Sequence, residues 1–325
     1  MTRSTRRPWL AAVLLSGLLP ALAWAQDPYP TKPIRVVVPY PPGGTSDNVA
    51  RLLAPVLSEK LGQPVLIENK GGAGTLTGTS QVAKSEPDGY TLLLTSTPLA
   101  INETLYKEMP YKTFQDLVPV AVVAQVPLVM IVNPSSKAKT VSDLVSLAKA
   151  RPGRLTYGSS GNGGSPHLSM EVFQAMTQTK LVHVPYKGSA PAVMDLVGGQ
   201  IDVVIDTLFL TQQQVLAGKA RALAQTGAKR SSLMPDVPTL QESGLQGFDI
   251  SSWFMLVAPA ATPQPVVQKL NAVVNEFIAM PRTRETLAKQ GLEPVGGSAP
   301  DALRFLKANV SRFGEAVKSA QLSAD

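Results

Sequence analysis

The chain has no cysteine and only two histidines, His167 and His183, among 325 residues. Thiol nucleophiles, disulfides and cysteine metal sites are therefore excluded, and the two histidines stand in no HxxxH spacing, which removes a histidine-rich metal centre. Basic residues outnumber acidic ones, 30 to 23, but form no basic run and no basic–aromatic alternation, so no nucleic-acid partner is indicated. The apolar run over 9–22 is too short to span a bilayer comfortably. It follows Arg3, Arg6 and Arg7 and leads into Ala23-Trp24-Ala25, the plan of a secretory signal peptide over 1–25, cleaved ahead of Gln26. The Arg6-Arg7 pair leaves Sec and twin-arginine export both open. Removing that segment takes three arginines and no acid, which lowers the net charge from +7 to +4. An exported chain without disulfides must hold by its core alone, which this length can supply as two lobes.

What is present is a repeated unit of apolar strand, glycine loop and helix. The β-branched run 34–38 stops at Pro39, and Pro41, Pro42, Gly43 and Gly44 make a tight turn. Val49, Leu52, Leu53, Val56, Leu57 and Leu61 then recur at helical spacing until Gly62, and Thr45, Ser46 and Asp47 can each cap the start. Glycines admit close approach to a ligand, and the first turn of a helix offers unpaired N–H groups with partial positive charge. The unit therefore suits a carboxylate or phosphate. It recurs as a strand over 65–67, a loop over 68–74 and a helix over 75–84; a third strand, 91–94, ends in Thr95-Ser96-Thr97-Pro98.

The stretch 118–132 is almost wholly apolar, long for one strand and interrupted by Pro127, which predicts a crossing from one lobe to the other. Beyond it come a helix over 142–150, a strand over 155–157, the loop 158–164 and a helix opened by Ser165 and Pro166. A strand over 181–184, the turn Pro185-Tyr186-Lys187-Gly188, a helix over 190–196 and a strand over 201–205 that delivers Asp206 at its end follow. After a strand over 221–224, SSWFMLVAPAATP reads as the return crossing, and helices over 265–280, 282–290 and 299–320 complete the chain. The last carries Leu303, Leu306, Val310, Phe313 and Val317 on one face. The expected fold is α/β: one lobe from 26–127 and 250–325, a second from 128–249, and a cleft between them where the glycine loops meet.

No loop has the GxxxxGK[ST] spacing of a nucleotide P-loop, and Lys70 precedes its glycines, so a carboxylate is preferred to a nucleotide. Asp206 either accepts a hydrogen bond from a ligand amine or hydroxyl or bonds its own following backbone. His167, near a helix start, reads as a neutral hydrogen-bonding group rather than a general base. Tyr40 and Tyr186 either wall the cleft or pack with their hydroxyls at the surface, and Lys187 reads as a solvated turn charge. A hydrolase would combine Ser159 or Ser160 with His167 and Asp206, but GSSGN is not the GxSxG elbow.

YPTKPIRVVVPYPPGGTSD, PDGYTLLL, LTYGSSGNGGSPHL, VPYKGSAPAVMDLVGGQID and LVAPAATP, taken together and in this order, resemble the periplasmic substrate-binding proteins of tripartite tricarboxylate transporters, the Bug-type receptors. The likeness runs through nearly the whole chain after the signal segment. It implies a two-lobed periplasmic binding protein of the type II, venus-flytrap kind, a monomer without catalysis, cofactor or metal. Such a receptor delivers a small carboxylate to membrane permease subunits or, alternatively, to a sensor. The resemblance maps the ligand carboxylate on Tyr40, Gly43, Gly44 and Thr45, the facing loop on Ser160, Gly161, Asn162, Gly163 and Ser165, the strand-end acid on Asp206 and the third loop on Ser96. The second loop contributes Gly74 and Thr75; the family pattern is closer to PGAGG, so Thr75 replaces an expected glycine and either adds a side chain near the cleft or caps the helix.

Overall fold

A computed structural model of the chain describes residues 1–2 and 29–323, so the signal peptide expected at 1–25 lies, but for its first two residues, outside the described residues. The first part of the chain folds as β1 (Ile34–Val38), α1 (Thr45–Leu61), β2 (Val65–Asn69), α2 (Leu76–Ala83), β3 (Thr91–Ser96), α3 (Pro98–Leu105) and α4 (Thr113–Asp116). A long β4 (Leu117–Val132) leads to α5 (Val141–Ala150), β5 (Thr156–Ser159), α6 (Ser165–Thr177), β6 (Val182–Pro185), α7 (Ser189–Val197), β7 (Val203–Thr207), α8 (Leu208–Leu216) and β8 (Arg221–Gln225). Then come β9 (Ser251–Pro259), α9 (Gln264–Ala279), α10 (Pro281–Lys289), β10 (Glu293–Gly296) and α11 (Ala299–Ser319). Among the described residues no helix is long and apolar enough to cross a membrane.

The strands make two lobes that share β4. In one the order is β2-β1-β3-β9-β4, with β10 also on β4; in the other β6-β5-β7-β4, with β8 also on β4. β1, β2 and β3 run parallel, as do β5, β6 and β7, so the carboxyl ends of both sets face the space between the lobes. The parallel arrangement explains the near-continuous burial of β1, in which only Arg35 is exposed. β4 pairs with β9 from Leu117 to Pro127, with β7 from Leu128 to Val132 and with β8 from Val129 to Val132, so its pairing partners change at the Pro127–Leu128 step. The expected crossing strand is thus one unbroken strand, and β9 is the return.

Thr226 ties the two crossings together. Its hydroxyl accepts a hydrogen bond from the Leu128 N–H at 3.0 Å and donates to the Ile250 carbonyl at 2.6 Å, and its own N–H donates to the Leu128 carbonyl at 2.9 Å. The side chain is fully buried, so water does not compete for these bonds. α11 lies along α3 and β4 with Ala302, Leu306, Asn309, Phe313 and Val317 buried, while the predicted face members Leu303 and Val310 are only half-buried at its edge.

Several boundaries differ from the sequence reading. The helix expected over 75–84 starts at Leu76, because Ala73, Gly74 and Thr75 form a left-handed turn with φ of 46, 58 and 77°. β7 runs on through Asp206 to Thr207, so the acid is the penultimate residue of the strand rather than the residue beyond it. α3, α4, α8 and β10 are not anticipated by periodicity; each is nine residues or fewer and draws its stability from packing rather than from a long apolar repeat.

Candidate functional site

Four helices begin at one chamber between the lobes. Its wall includes Gly44, Thr45 and Ser46 at the start of α1, Ser165 and Pro166 of α6, Ser189 and Ala190 of α7, and Asp206 and Thr207 ahead of α8. Tyr40, Ser96, Ser160, Lys187, Ser252 and Phe254 complete much of the rest, around about 550 Å³ counted to the open mouth. α1, α6 and α7 have glycine N-caps (Gly44, Gly164 and Gly188), and none of the four helices has a side-chain cap bond. Two helices away from the chamber are capped fully, Thr140 with Asp143 on α5 and Ser298 with Asp301 on α11. Because α2, α3, α4, α9 and α10 also lack a side-chain cap bond, what sets the chamber apart is that four uncapped starts converge there. First-turn amides are therefore left without side-chain acceptors where they face the chamber, and their partial charges add into a positive region that suits an anion.

This corrects the expectation that Thr45, Ser46 or Asp47 caps α1. Asp47 instead accepts bonds from the Gly43 N–H at 3.0 Å, Arg51 Nε at 2.9 Å and Asn69 Nδ2 at 2.9 Å. Burial works to raise its pKa, but these three donors outweigh it and hold the carboxyl below its usual range. Asp47 thus fixes the loop from behind and leaves the helix start open. Tyr40 crosses to the third loop through a 3.1 Å hydrogen bond with Ser96, and burial pushes its phenol well above its ordinary pKa, so it is a neutral group.

A second, outer chamber adjoins the first, about 900 Å³ counted out to open solvent, and Tyr40, Pro41, Ser160, Lys187 and Gly188 line both. Its further wall is Gly71 to Thr75 from one lobe and Gly161, Asn162, Gly164 and Tyr186 from the other. Here the departure of Thr75 from the family's glycine has a cost. A β-branched residue at φ 77° is strained, and its hydroxyl is buried without a hydrogen-bond partner among the described residues, so it does not cap α2. Lys187 is exposed, as a turn charge should be, yet sits where the chambers meet; with Asp206 it is one of the two formally charged side chains on the inner wall. Tyr186 lines the outer chamber, and its hydroxyl donates to Asp195 at 2.7 Å.

The lobes touch directly. Thr45 Oγ1 and Thr207 Oγ1 are 2.7 Å apart across the cleft, and a Cβ on Gly163 would come within 2.5 Å of Asn102 Oδ1 on α3. Of the residues expected at the site, Tyr40, Gly44, Thr45, Ser96, Ser160, Ser165 and Asp206 gather at the inner chamber, and Gly74, Thr75, Gly161 and Asn162 at the outer one. Gly43 and Gly163 line neither: the first serves the Asp47 turn, the second the contact between lobes. Ser189, Thr207 and Ser252 line the inner wall and are missing from the sequence reading, and Ser46, expected there only as a cap, lines it too. Only the serine beside a glycine at 188 and 189 could have signalled one of them.

The hydrolase constellation does not assemble. Ser159 is fully buried, with Oγ 2.6 Å from His183 Nε2 rather than bonded to His167. His167 Nδ1 accepts the Gly163 N–H at 3.3 Å, and its ring stacks on His183 at 4.2 Å. Burial depresses His167 to about 3, with His183 adding to the effect, and burial likewise depresses His183 to about 4. Both rings are neutral struts beneath the 158–164 loop, which is the role expected of His167. Among the described residues no cluster of acids and histidines could hold a metal ion.

Compared with known proteins, residues 49–322 match the model of the tripartite tricarboxylate transporter family receptor. The chain belongs to this receptor family. Among solved structures, the periplasmic binding protein BugD is 36% identical, with TM-score 0.86 over 91% of this chain and 99% of its own. R. palustris Rpa4515, solved with adipate, is 39% identical, with TM-score 0.88 over 91% and 99%. MatC (Rpa3494) from Rhodopseudomonas palustris, solved with malate, is 31% identical, with TM-score 0.85 over 89% and 100%. The receptor family thus has the two-lobed periplasmic binding fold that the sheets describe, and two of its relatives hold dicarboxylates.

Proposed function

We propose that this receptor is exported to the periplasm, loses residues 1–25, closes its lobes on a small organic carboxylate and passes it to the permease subunits of a tripartite tricarboxylate-type transporter, without catalysis. One lobe is taken as 26–127 with 250–325, the other as 128–249. The observation that carries the reading is the convergence of four helix starts without side-chain caps on one chamber. An anion there meets mainly backbone dipoles, with the exposed Lys187 as the one cationic side chain on the wall, which favours release as well as capture. In this reading Tyr40, Gly44, Thr45, Ser96, Ser160, Ser165 and Asp206 surround the first carboxylate, and Gly74, Thr75, Gly161 and Asn162 meet the far end of the ligand; Gly43 and Gly163 support the loops.

Native and denaturing mass spectrometry of the purified periplasmic protein, followed by a thermal-shift screen of carboxylic acids, tests it. A ligand that binds only the native state raises the melting temperature, so a released acid that also stabilises the protein is the expected result. Stabilisation by phosphates, sugars or metals, with no acid active, would overturn the carboxylate reading.

A further inference from the structure

Asp206 is the one acidic side chain on the inner wall, and it is fully buried. Its Oδ1 accepts the Thr207 N–H at 2.7 Å and the Thr207 hydroxyl at 3.2 Å. Its Oδ2 makes no hydrogen bond of good geometry among the described residues. The elements packed around it supply no cation. β4 lays Leu128, Val129 and Met130 beside it, α7 opens with Ser189 and α8 with Leu208. On α6 His167 is held neutral, Tyr40 is a neutral phenol, and Asp47 on α1 is engaged with Arg51, Asn69 and Gly43. Lys187, on the loop between β6 and α7, is exposed and is the one cationic side chain lining the same chamber.

A carboxylate drawn to the helix starts therefore meets a second carboxylate, and two carboxylate oxygens can share a hydrogen bond only if one carries a proton. On the reading of this chamber as a carboxylate site, we propose that ligand capture takes up one proton from solvent, held on Asp206 Oδ2, which then donates a hydrogen bond to a ligand oxygen. On release the proton returns to solvent; no other bond is made or broken. Burial already lifts Asp206 to about 6 against the pull of Ser189 and Thr207, and the charge of a ligand carboxylate beside it in the closed chamber raises it much further while bound. The charge state also reaches the lobe contact. Thr207 gives its only hydroxyl proton to Asp206 Oδ1, so in the 2.7 Å pair Thr45 is the donor.

Isothermal titration calorimetry of the purified protein with adipate, succinate and malate, in buffers of different ionisation enthalpy, counts the protons. The expected result at pH 7.5 is close to one proton taken up per acid bound, with affinity falling about tenfold per pH unit between about pH 6.5 and 8.5. Asp206→Asn supplies an amide donor of the same shape; it is expected to bind with no uptake and with affinity flat in pH, its fold checked by circular dichroism and melting. An acid that binds the wild type without proton uptake overturns the proton and leaves the carboxylate reading standing. Uptake that persists in Asp206→Asn also removes Asp206 as its carrier. If none of the three acids binds at any pH, the proposal falls together with that reading.

Discussion

Gly163→Ala separates strain within a lobe from a clash between lobes. Gly163 has φ 74°, a left-handed conformation that costs an alanine roughly 1–2 kcal/mol whether the lobes are together or apart. The added Cβ would lie 2.5 Å from Asn102 Oδ1 and 3.0 Å from Leu105 Cδ2, both on α3 of the other lobe. Asn102 has little room to yield, since its Nδ2 donates to the Gly74 carbonyl at 3.0 Å. Overpacking of this kind costs about 1–3 kcal/mol, and only when the lobes meet. If ligand binding requires that meeting, affinity falls about 5- to 150-fold. Gly62→Ala is the matched control: φ is 71° at the end of α1, and an added Cβ would meet nothing within 4 Å. Calorimetric titration with a bound acid, beside melting curves, reads both effects. Both variants should melt lower, but only Gly163→Ala should bind more weakly; equal affinity in the two variants would refute an obligatory contact between α3 and the 160–164 loop.

Thr75→Gly should raise the melting temperature by about 1–3 °C, because relief of a left-handed β-branched residue exceeds the roughly 0.5–1 kcal/mol of backbone entropy that glycine adds to the unfolded chain. A lower melting temperature in scanning calorimetry would mean that the threonine is not strained there. His167 and His183 titrate near 6.5 when unfolded but only at about 3 and about 4 when folded, so the unfolded chain binds more protons below about pH 6.5. Their contribution to stability is therefore complete above that pH and is lost progressively as pH falls, to about 4 for His183 and about 3 for His167. His183→Gln should lose less stability than the wild type over that interval, and parallel melting curves against pH would show that the ring is not held neutral.

The strands and the crossing were legible because apolar β-branched runs have few other uses: 34–38 and 118–132 could hardly be anything but buried strand. Glycine and proline marked where those strands stop, and hence the loops that meet at the cleft. Short elements were not legible. β10 spans only four residues, with Glu293 and Val295 exposed, Pro294 half-buried and Gly296 buried, and the turn of Ala73 to Thr75 is left-handed in a sequence with one glycine where three would be natural. The site was half legible for a related reason. Glycine before a helix was read as a turn and the polar residue after it as the cap, whereas Gly44, Gly164 and Gly188 are themselves the caps. Ser189, Thr207 and Ser252 carry no periodic signal, since a serine on a chamber wall and a serine in solvent look alike in sequence. Lys187 shows the converse: a turn charge that is also a wall.

The two chains that cross between lobes are bonded to each other as far as Pro127 and Ser251, and just beyond that point Thr226 fastens both to the second lobe. Neither crossing can slide past the other without breaking the ladder, so the movement left to the lobes is a rotation about that short segment. A distance measured across the mouth, for instance between labels on the exposed residues Lys70 and Lys187, then reads that rotation directly.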